Sequence, residues 1–199
     1  MGLASKRRDR WAPLIVDPEN DFCPGGSLAV TDGDKVMEPL NIIIMKAVRE
    51  GRPVIVSRDW HRPDLDQPHF QKWPPHCIQN TFGAEFHRNL FLPANAIIIS
   101  KGMGDADAYS AFDGVTADGT PLDTVLKSLG VDTLKIGGLA TDYCVSATVL
   151  NAIKLGYETH FLLYASRGVV KETTDAALDK MWKSGAVFSY APYNFELVG

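Results

Sequence analysis

Short apolar runs alternate with amphipathic segments that end at glycine along most of this 199-residue chain. Six runs have the length and apolar character of buried strands: 12–16, 53–57, 96–100, 133–136, 158–163 and 186–189. Lys135 and His160 interrupt two of them. Runs of this kind, without regular polar alternation, are typical of parallel strands that are covered on both faces.

Four amphipathic segments lie between these runs, and each ends at a glycine, the residue favoured just after a helix. In the first segment, Pro39 occupies the expected first helical position and Gly51 ends the helix. The other three segments are 122–129, 141–155 and roughly 173–183. This order predicts an α/β fold, a three-layer, doubly wound and mostly parallel sheet with helices on both faces.

The composition is that of one globular domain spanning residues 1–199, with no internal repeat or linker. No apolar run approaches the ~20 residues that span a bilayer. The apolar run after the basic start is too short for a signal peptide, so we expect a cytoplasmic protein. The three widely spaced cysteines indicate reduced thiols, and Cys23 and Cys77 are expected to be structural.

One basic cluster, Lys6, Arg7, Arg8 and Arg10, lies in the N-terminal tail assigned to residues 1–10. A nucleic-acid-binding arm is one interpretation of it. The net charge of −4 and the lack of a basic face downstream favour a solvated tail instead. We therefore expect no nucleic-acid or membrane partner, and the oligomeric state stays open, a homo-oligomer included.

Chemically useful side chains follow four of the predicted strands. Asp17 follows the first strand, Asp59 comes soon after the second, Lys101 follows the third, and Cys144 lies in the GGLATDYC run after the fourth. Singly, such residues are usually turn, cap or solvated residues. In doubly wound sheets, however, ligands bind beyond the carboxyl ends of the strands. The coincidence at four strand ends therefore favours a functional site.

Cys144 lies where the 141–155 helix is expected to begin, with Thr141 or Asp142 as its cap. Unpaired N–H groups and the helix dipole at that end would favour a thiolate. The preceding Gly137-Gly138 pair allows N–H groups to converge near an oxyanion. On position alone, a buried structural cysteine is an equally good interpretation.

The stretch from Asp59 to Pro93 breaks the alternation and carries five prolines and four of the five histidines. Its aromatic and proline content favours a functional loop over a disordered one. Asp59 and His61 leave the same face of an extended chain, and His76 comes from a proline-stiffened loop. These groups suit one divalent ion, Zn²⁺, Fe²⁺ or Mn²⁺, with His69 as a further candidate ligand. For Asp59 and His61 alone, ordinary polar loop residues are the simpler interpretation.

Taken together, these stretches resemble the nicotinamidase/pyrazinamidase branch of the isochorismatase-like cysteine hydrolases. The matching motifs are VDPENDFCPGGSLAV (16–30), SRDWH (57–61), WPPHCIQNTFGAEFH (73–87), SKG (100–102), YSAF (109–112) and GGLATDYCV (137–145). WPPHC and the GGSLAV hairpin are typical of nicotinamidases, whereas the Asp, Lys and Cys set is shared across the superfamily. The resemblance implies one isochorismatase-like hydrolase domain with the doubly wound fold.

The resemblance also implies a role for each site residue. The implied catalytic residues are Asp17, Lys101 and Cys144, and the implied metal ligands are Asp59, His61 and His76, with His69 as a candidate fourth. The implied oxyanion hole consists of the N–H groups of Ala140 and Cys144, with a cis peptide bond before Ala140. The implied ring-pocket residues are Phe22, Trp73, Tyr109 and Tyr143. Among divalent metals, Zn²⁺ is favoured over Fe²⁺ and Mn²⁺.

The activity implied is hydrolysis of nicotinamide to nicotinate and ammonia through a thioester on Cys144, with pyrazinamide as a second substrate, in NAD salvage. One alternative is an amidase of the same superfamily that acts on a different amide or carbamoyl compound. Another is a zinc-stabilised binding or redox-sensing protein in which Cys144 is an oxidisable thiol. The WPPHC motif argues against the first alternative, and the intact Asp, Lys and Cys set argues against the second.

The sequence departs from the family pattern in three places. Pro18 and Glu19 follow Asp17, where aliphatic and Gln residues are more usual. The loop that carries His69 is short, which puts its role as a ligand in question. The segment 103–108 is polar, so we expect a pocket entrance of a different shape.

Overall fold

Six apolar segments form the strands of a parallel sheet in the computed structural model, which describes residues 10–192. The strands are β1 (Trp11–Val16), β2 (Ile55–Asp59), β3 (Ile97–Lys101), β4 (Thr133–Leu139), β5 (Glu158–Arg167) and β6 (Val187–Ser189). Their order is β3-β2-β1-β4-β5-β6, and every adjacent pair is parallel. All six predicted strands and the predicted fold class are confirmed, although β5 runs well beyond its predicted end at 163. Of the predicted basic tail, all but Arg10 lies outside the described residues.

The strand order reverses between β1 and β4, which lie side by side in the middle of the sheet. The chain winds from β1 outward to β3 and then returns to β4 to build the other half. In sheets of this type, the crevice beyond the carboxyl ends of the two central strands is the binding site. Asp17 directly follows β1, and the segment 140–144 directly follows β4.

Four α-helices connect or flank the strands: α1 (Met37–Arg49), α2 (Leu122–Ser128), α3 (Ser146–Lys154) and α4 (Lys171–Lys183). Helix α1 begins at Met37 rather than at Pro39, which lies in the first turn, where a missing N–H costs no helical hydrogen bond. The predicted 141–155 helix is divided, because Thr141–Val145 forms a π-helical turn before α3. Within residues 10–192, no helix is long and apolar enough to cross a membrane.

Successive residues of β1 face two separate cores, as strand geometry requires. Ile15 faces the core that also contains the apolar face of α1. Leu14 faces the second core, which takes Leu126, Val149 and Met181 from α2, α3 and α4. These five side chains are fully buried. The three layers therefore consist of α1 on one face of the sheet and the other three helices on the opposite face.

The connection between β2 and β3 contains no α-helix along residues 60–96, all of which the structure describes. It packs Cys77, Ala84 and Leu90 into the core beside α1. Cys23 is buried in the same core, so both cysteines expected to be structural are buried and have no disulfide partner in the described part of the chain. Anchored in this way, the irregular segment carries His61, His69 and His76 to the carboxyl edge of the sheet.

Candidate active site

The ammonium group of Lys101 lies between two carboxylates and a thiol. Lys101 ends β3 and is 1% exposed. Its Nζ atom lies 2.8 Å from Asp17 Oδ2 and 2.5 Å from Asp59 Oδ1. It also donates a hydrogen bond to Cys144 Sγ at 3.4 Å. The structure thus brings together the side chains of Asp17, Lys101 and Cys144, which come from three different strand ends.

Asp17 directly follows β1, and its backbone adopts the left-handed region, with φ of 48°. Its side chain is fully buried, and Ser57 Oγ donates a 2.7 Å hydrogen bond to Oδ1. A carboxylate oxygen of Asp17 lies within 4.8 Å of Cys144 Sγ. A buried base therefore lies beside the thiol. Sequence reasoning missed Ser57, for which the available signal is a hydroxyl at the end of the predicted apolar strand 53–57.

Burial and the charge of Lys101 act in opposite directions on the protonation of these groups. It raises the pKa of Asp17 above its ordinary value of 3.8, although Lys101 opposes this effect. Burial also raises the pKa of the Cys144 thiol well above its usual range, and Lys101 offsets this only in part. For Lys101 itself, burial opposes the charge, but Asp17 and Asp59 outweigh it and raise its pKa well above normal. Burial therefore opposes the resting thiolate expected from the sequence, and it makes Asp17 a stronger base than usual.

Cys144 lies in the π-helical turn of Thr141–Val145. Ala140 occupies the N-cap position of this turn, and no side chain caps it, so the expectation that Thr141 or Asp142 is the cap is wrong. The Asp142 carboxylate instead accepts a 3.0 Å hydrogen bond from the N–H group of Val169, just before α4. Asp142 therefore joins the start of α4 to the turn that carries Cys144.

The turn before Cys144 requires an unusual backbone at two points. Gly138 has φ of 131°, and a Cβ atom there would meet the carbonyl oxygen of Val16 at 2.0 Å. Only glycine lets β4 lie this close to β1 at that position. The peptide bond between Leu139 and Ala140 is cis, as the resemblance implies. Both Ala140 and Cys144 line the pocket described below.

Three imidazole rings converge next to Asp59. His61, His69 and His76 are buried, and one ring nitrogen from each lies within 4.8 Å of the other two. The Nε2 atoms of His61 and His76 each lie 3.8 Å from Asp59 Oδ2. Both ring nitrogens of His61 and the Nε2 atom of His69 are buried without a hydrogen-bond partner in the described part of the chain. Because buried polar atoms are normally satisfied, this donor set fits one divalent cation.

Two of these rings are held through their other nitrogen. His76 Nδ1 lies 2.7 Å from the carbonyl oxygen of Pro74, and His69 Nδ1 lies 3.0 Å from Asp107 Oδ1. These contacts occupy Nδ1 and leave the Nε2 lone pair available to a metal ion. Histidines that bind metals usually have their other ring nitrogen held in this way. His69, the predicted ligand in question, therefore lies with the others. Sequence reasoning missed Asp107, which gives no signal beyond being one acidic residue in a polar segment.

Asp59 connects the two halves of the site, since Oδ1 faces Lys101 and Oδ2 faces the imidazoles. Burial opposes its ionisation, but Lys101, His61 and His76 outweigh this and hold the pKa of Asp59 well below its usual range. The backbone N–H of Asp59 donates to Glu19 Oε2 at 3.1 Å. Glu19 is fully buried, and that burial raises its pKa well above normal. Sequence reasoning noted Glu19 only as a departure from the family pattern.

An apolar pocket lies over Cys144 and is walled by aromatic rings. Trp73 meets Tyr143 edge-on, with ring centroids 5.0 Å apart and an interplanar angle of 89°. The indole Nε1 of Trp73 donates to the hydroxyl of Tyr109 at 3.0 Å. Phe22 lines the same pocket, so all four predicted ring-pocket residues face one space. Flat apolar walls of this kind suit a planar aromatic ligand.

The chain is similar in sequence and in structure to known proteins of one family. The model of the isochorismatase domain matches residues 12–191. The chain is 40% identical over 177 residues to a nicotinamidase/pyrazinamidase of Mycobacterium tuberculosis. The matched region covers 85% of this chain and 93% of the relative. The structure of a Pyrococcus horikoshii pyrazinamidase in complex with zinc matches with a TM-score of 0.83 and 38% identity, over 92% of this chain and 99% of that chain. A Leishmania infantum structure in complex with nicotinate matches with a TM-score of 0.78 and 29% identity, over 91% and 92% of the two chains.

Proposed function

Because the chain belongs to the isochorismatase family, we propose that it is a nicotinamidase, which hydrolyses nicotinamide to nicotinate and ammonia and accepts pyrazinamide by the same route. One observation carries this proposal: Lys101 Nζ contacts both Asp17 and Cys144, and Cys144 lines an aromatic-walled pocket together with the buried imidazoles of His69 and His76. The names of the similar Mycobacterium enzyme and the nicotinate in the Leishmania structure support this choice of substrate. The reaction would serve NAD salvage.

In the first half of the reaction, Cys144 transfers its thiol proton to Asp17 as Sγ attacks the carboxamide carbon. Lys101, 3.4 Å from Sγ, stabilises the negative charge that develops on sulfur. The N–H groups of Ala140 and Cys144 hold the oxyanion of the tetrahedral intermediate. When this intermediate collapses, the C–N bond breaks and Asp17 returns its proton to nitrogen, so that ammonia leaves and a thioester remains.

In the second half, a water molecule attacks the thioester carbon while Asp17 takes one of its protons. The C–S bond then breaks, and the proton passes from Asp17 to Cys144 Sγ. The acid product ionises to nicotinate as it leaves, and its proton balances the one that the released ammonia takes up in solution. One water has been consumed, and the thiol and carboxylate are restored. The raised pKa of Asp17 suits this double role, because a stronger base accepts the proton more readily at each attack.

The ligands of one divalent cation would be Asp59, His61, His76 and His69, and three imidazoles with one carboxylate are a donor set typical of Zn²⁺. The zinc in the Pyrococcus structure supports this identity. When bound, the cation would supply a positive charge that attracts the ring nitrogen of the substrate and so orients the ring.

Ammonia release by the zinc-loaded full chain tests the proposal. Nicotinamide should be hydrolysed in clear preference to an aliphatic amide and to an N-carbamoyl compound, because only nicotinamide fills the aromatic pocket. Preference for either control substrate would favour the alternative amidase, and no release from nicotinamide would contradict the proposal.

Removal of the metal by a chelator should raise the KM for nicotinamide, and added Zn²⁺ should restore it. Undiminished activity in protein verified to be free of metal would remove the proposed role of the cation.

A further inference from the structure

Two polar loop segments, 62–72 and 103–108, lie against each other at the edge of the site. The segment 62–72 carries His69, and the segment 103–108 carries Asp107. The two are joined where Arg62 Nη2 lies 2.5 Å from Asp105 Oδ1 and where Lys72 pairs with Asp107. The first segment is also held internally, because the buried side chain of Gln67 donates to the carbonyl oxygens of Arg62 at 3.0 Å and Asp64 at 2.8 Å.

His69 lies between these segments with its ring held on two sides. Its plane stacks on His61, with centroids 4.5 Å apart and an interplanar angle of 19°. Its Nδ1 atom lies 3.0 Å from Asp107 Oδ1. Its Nε2 atom is buried and has no hydrogen-bond partner among residues 10–192. The ring is therefore anchored through Nδ1 and presents Nε2 to the other imidazoles.

We propose that Asp107 is a positioning residue for the metal site. Its carboxylate accepts the Nδ1–H hydrogen of His69, which keeps the lone pair on Nε2 and turns that atom towards the position of the cation. Lys72 pairs with the other carboxylate oxygen and keeps Asp107 in place. Asp107 touches neither substrate nor cation, so it acts only through His69. The inference rests on the metal site of the proposed function and adds the residue that completes it.

The test is the Zn²⁺ affinity of the full-length apoprotein, measured by competition with a chromophoric chelator. Loss of an outer partner of a metal ligand typically weakens binding by about 10–100-fold, and we expect this for Asp107→Ala. Asp107→Asn should lose less, because an amide oxygen still accepts from Nδ1–H. Asp105→Ala is the matched control, because Asp105 lies in the same segment but pairs with Arg62 and not with a histidine. The Zn²⁺ affinity of this variant should equal that of the parent. Parental affinity in Asp107→Ala, or an equal loss in Asp105→Ala, would overturn the proposal.

A double-mutant cycle with His69→Ala separates positioning from a general structural effect. If Asp107 acts through His69, then Asp107→Ala should cause no further loss of Zn²⁺ affinity in the His69→Ala background. A full further loss would overturn the proposal. The affinity measurement does not depend on turnover. If the variants bind Zn²⁺ in the expected pattern but the parent does not hydrolyse nicotinamide, the proposed function is rejected and the role of Asp107 stands. If the parent hydrolyses nicotinamide but Asp107→Ala binds Zn²⁺ as tightly as the parent, the role of Asp107 is rejected and the proposed function stands.

Discussion

Replacement of Lys101 by Met tests the charge arrangement at the centre of the site. Lys101 is 1% exposed and is the cation that contacts Asp17 (0% exposed) and Asp59 (5% exposed). Removing one partner of a buried ion pair costs about 3–5 kcal/mol, because the other partner keeps an uncompensated charge. Burial already raises the pKa of Asp17, so that carboxyl can take up a proton when the lysine is absent. We therefore expect the lower end of this range, about 3 kcal/mol in the free energy of unfolding, a large part of typical domain stability.

Urea unfolding of the metal-free protein measures this loss, since bound metal would stabilise the folded state separately. The Asp17→Asn substitution, made alone and together with Lys101→Met, completes the cycle. The double variant should lose less than the sum of the single losses, because it leaves one buried carboxylate fewer without a partner; the expected coupling is about 0.5–3 kcal/mol. A Lys101→Met protein as stable as the parent, or losses that simply add, would refute the reasoning.

Two further predictions concern turnover of nicotinamide. Asp17 must be ionised to accept the thiol proton, and its pKa is raised above 3.8, so kcat/KM should fall as the pH drops through a value above 3.8. Ser57→Ala removes a hydrogen bond that lowers this pKa and should move the acid limb to still higher pH; an unmoved limb would contradict the assignment of Asp17. Tyr109→Phe keeps the ring and removes only the 3.0 Å hydrogen bond that Trp73 donates in the pocket wall, so it should raise KM about fivefold, the equivalent of about 1 kcal/mol. An unchanged KM would show that this hydrogen bond does not shape the wall.

The fold could be predicted from the sequence because its main determinants are local. Apolar runs and helix-ending glycines identify all six strands and the four helical segments. The position of chemically useful residues just past strand ends predicts the edge of the sheet at which they meet. The meeting of Asp17, Lys101 and Cys144 follows from this topology, since parallel strands carry their carboxyl ends to one side.

The details that depend on tertiary contacts could not be predicted in this way. Asp142 has the residue type of a helix cap, but its carboxylate bonds to the chain before α4, which is distant in sequence. The resting state of Cys144 depends on burial, which outweighs the nearby ammonium group, and a sequence pattern does not reveal that balance. Glu19 and Asp107 hold site residues through contacts across 40 and 38 positions, so no local motif marks them.

The central claim is that Cys144 forms a thioester with the acyl group of nicotinamide. Mass spectrometry of the zinc-loaded protein, quenched with acid during turnover, tests it most directly. The account predicts a nicotinoyl adduct on the peptide that contains Cys144, and neither adduct nor ammonia release in Cys144→Ala, which should still bind nicotinamide. An adduct on another residue, or substantial ammonia release by Cys144→Ala, would contradict it.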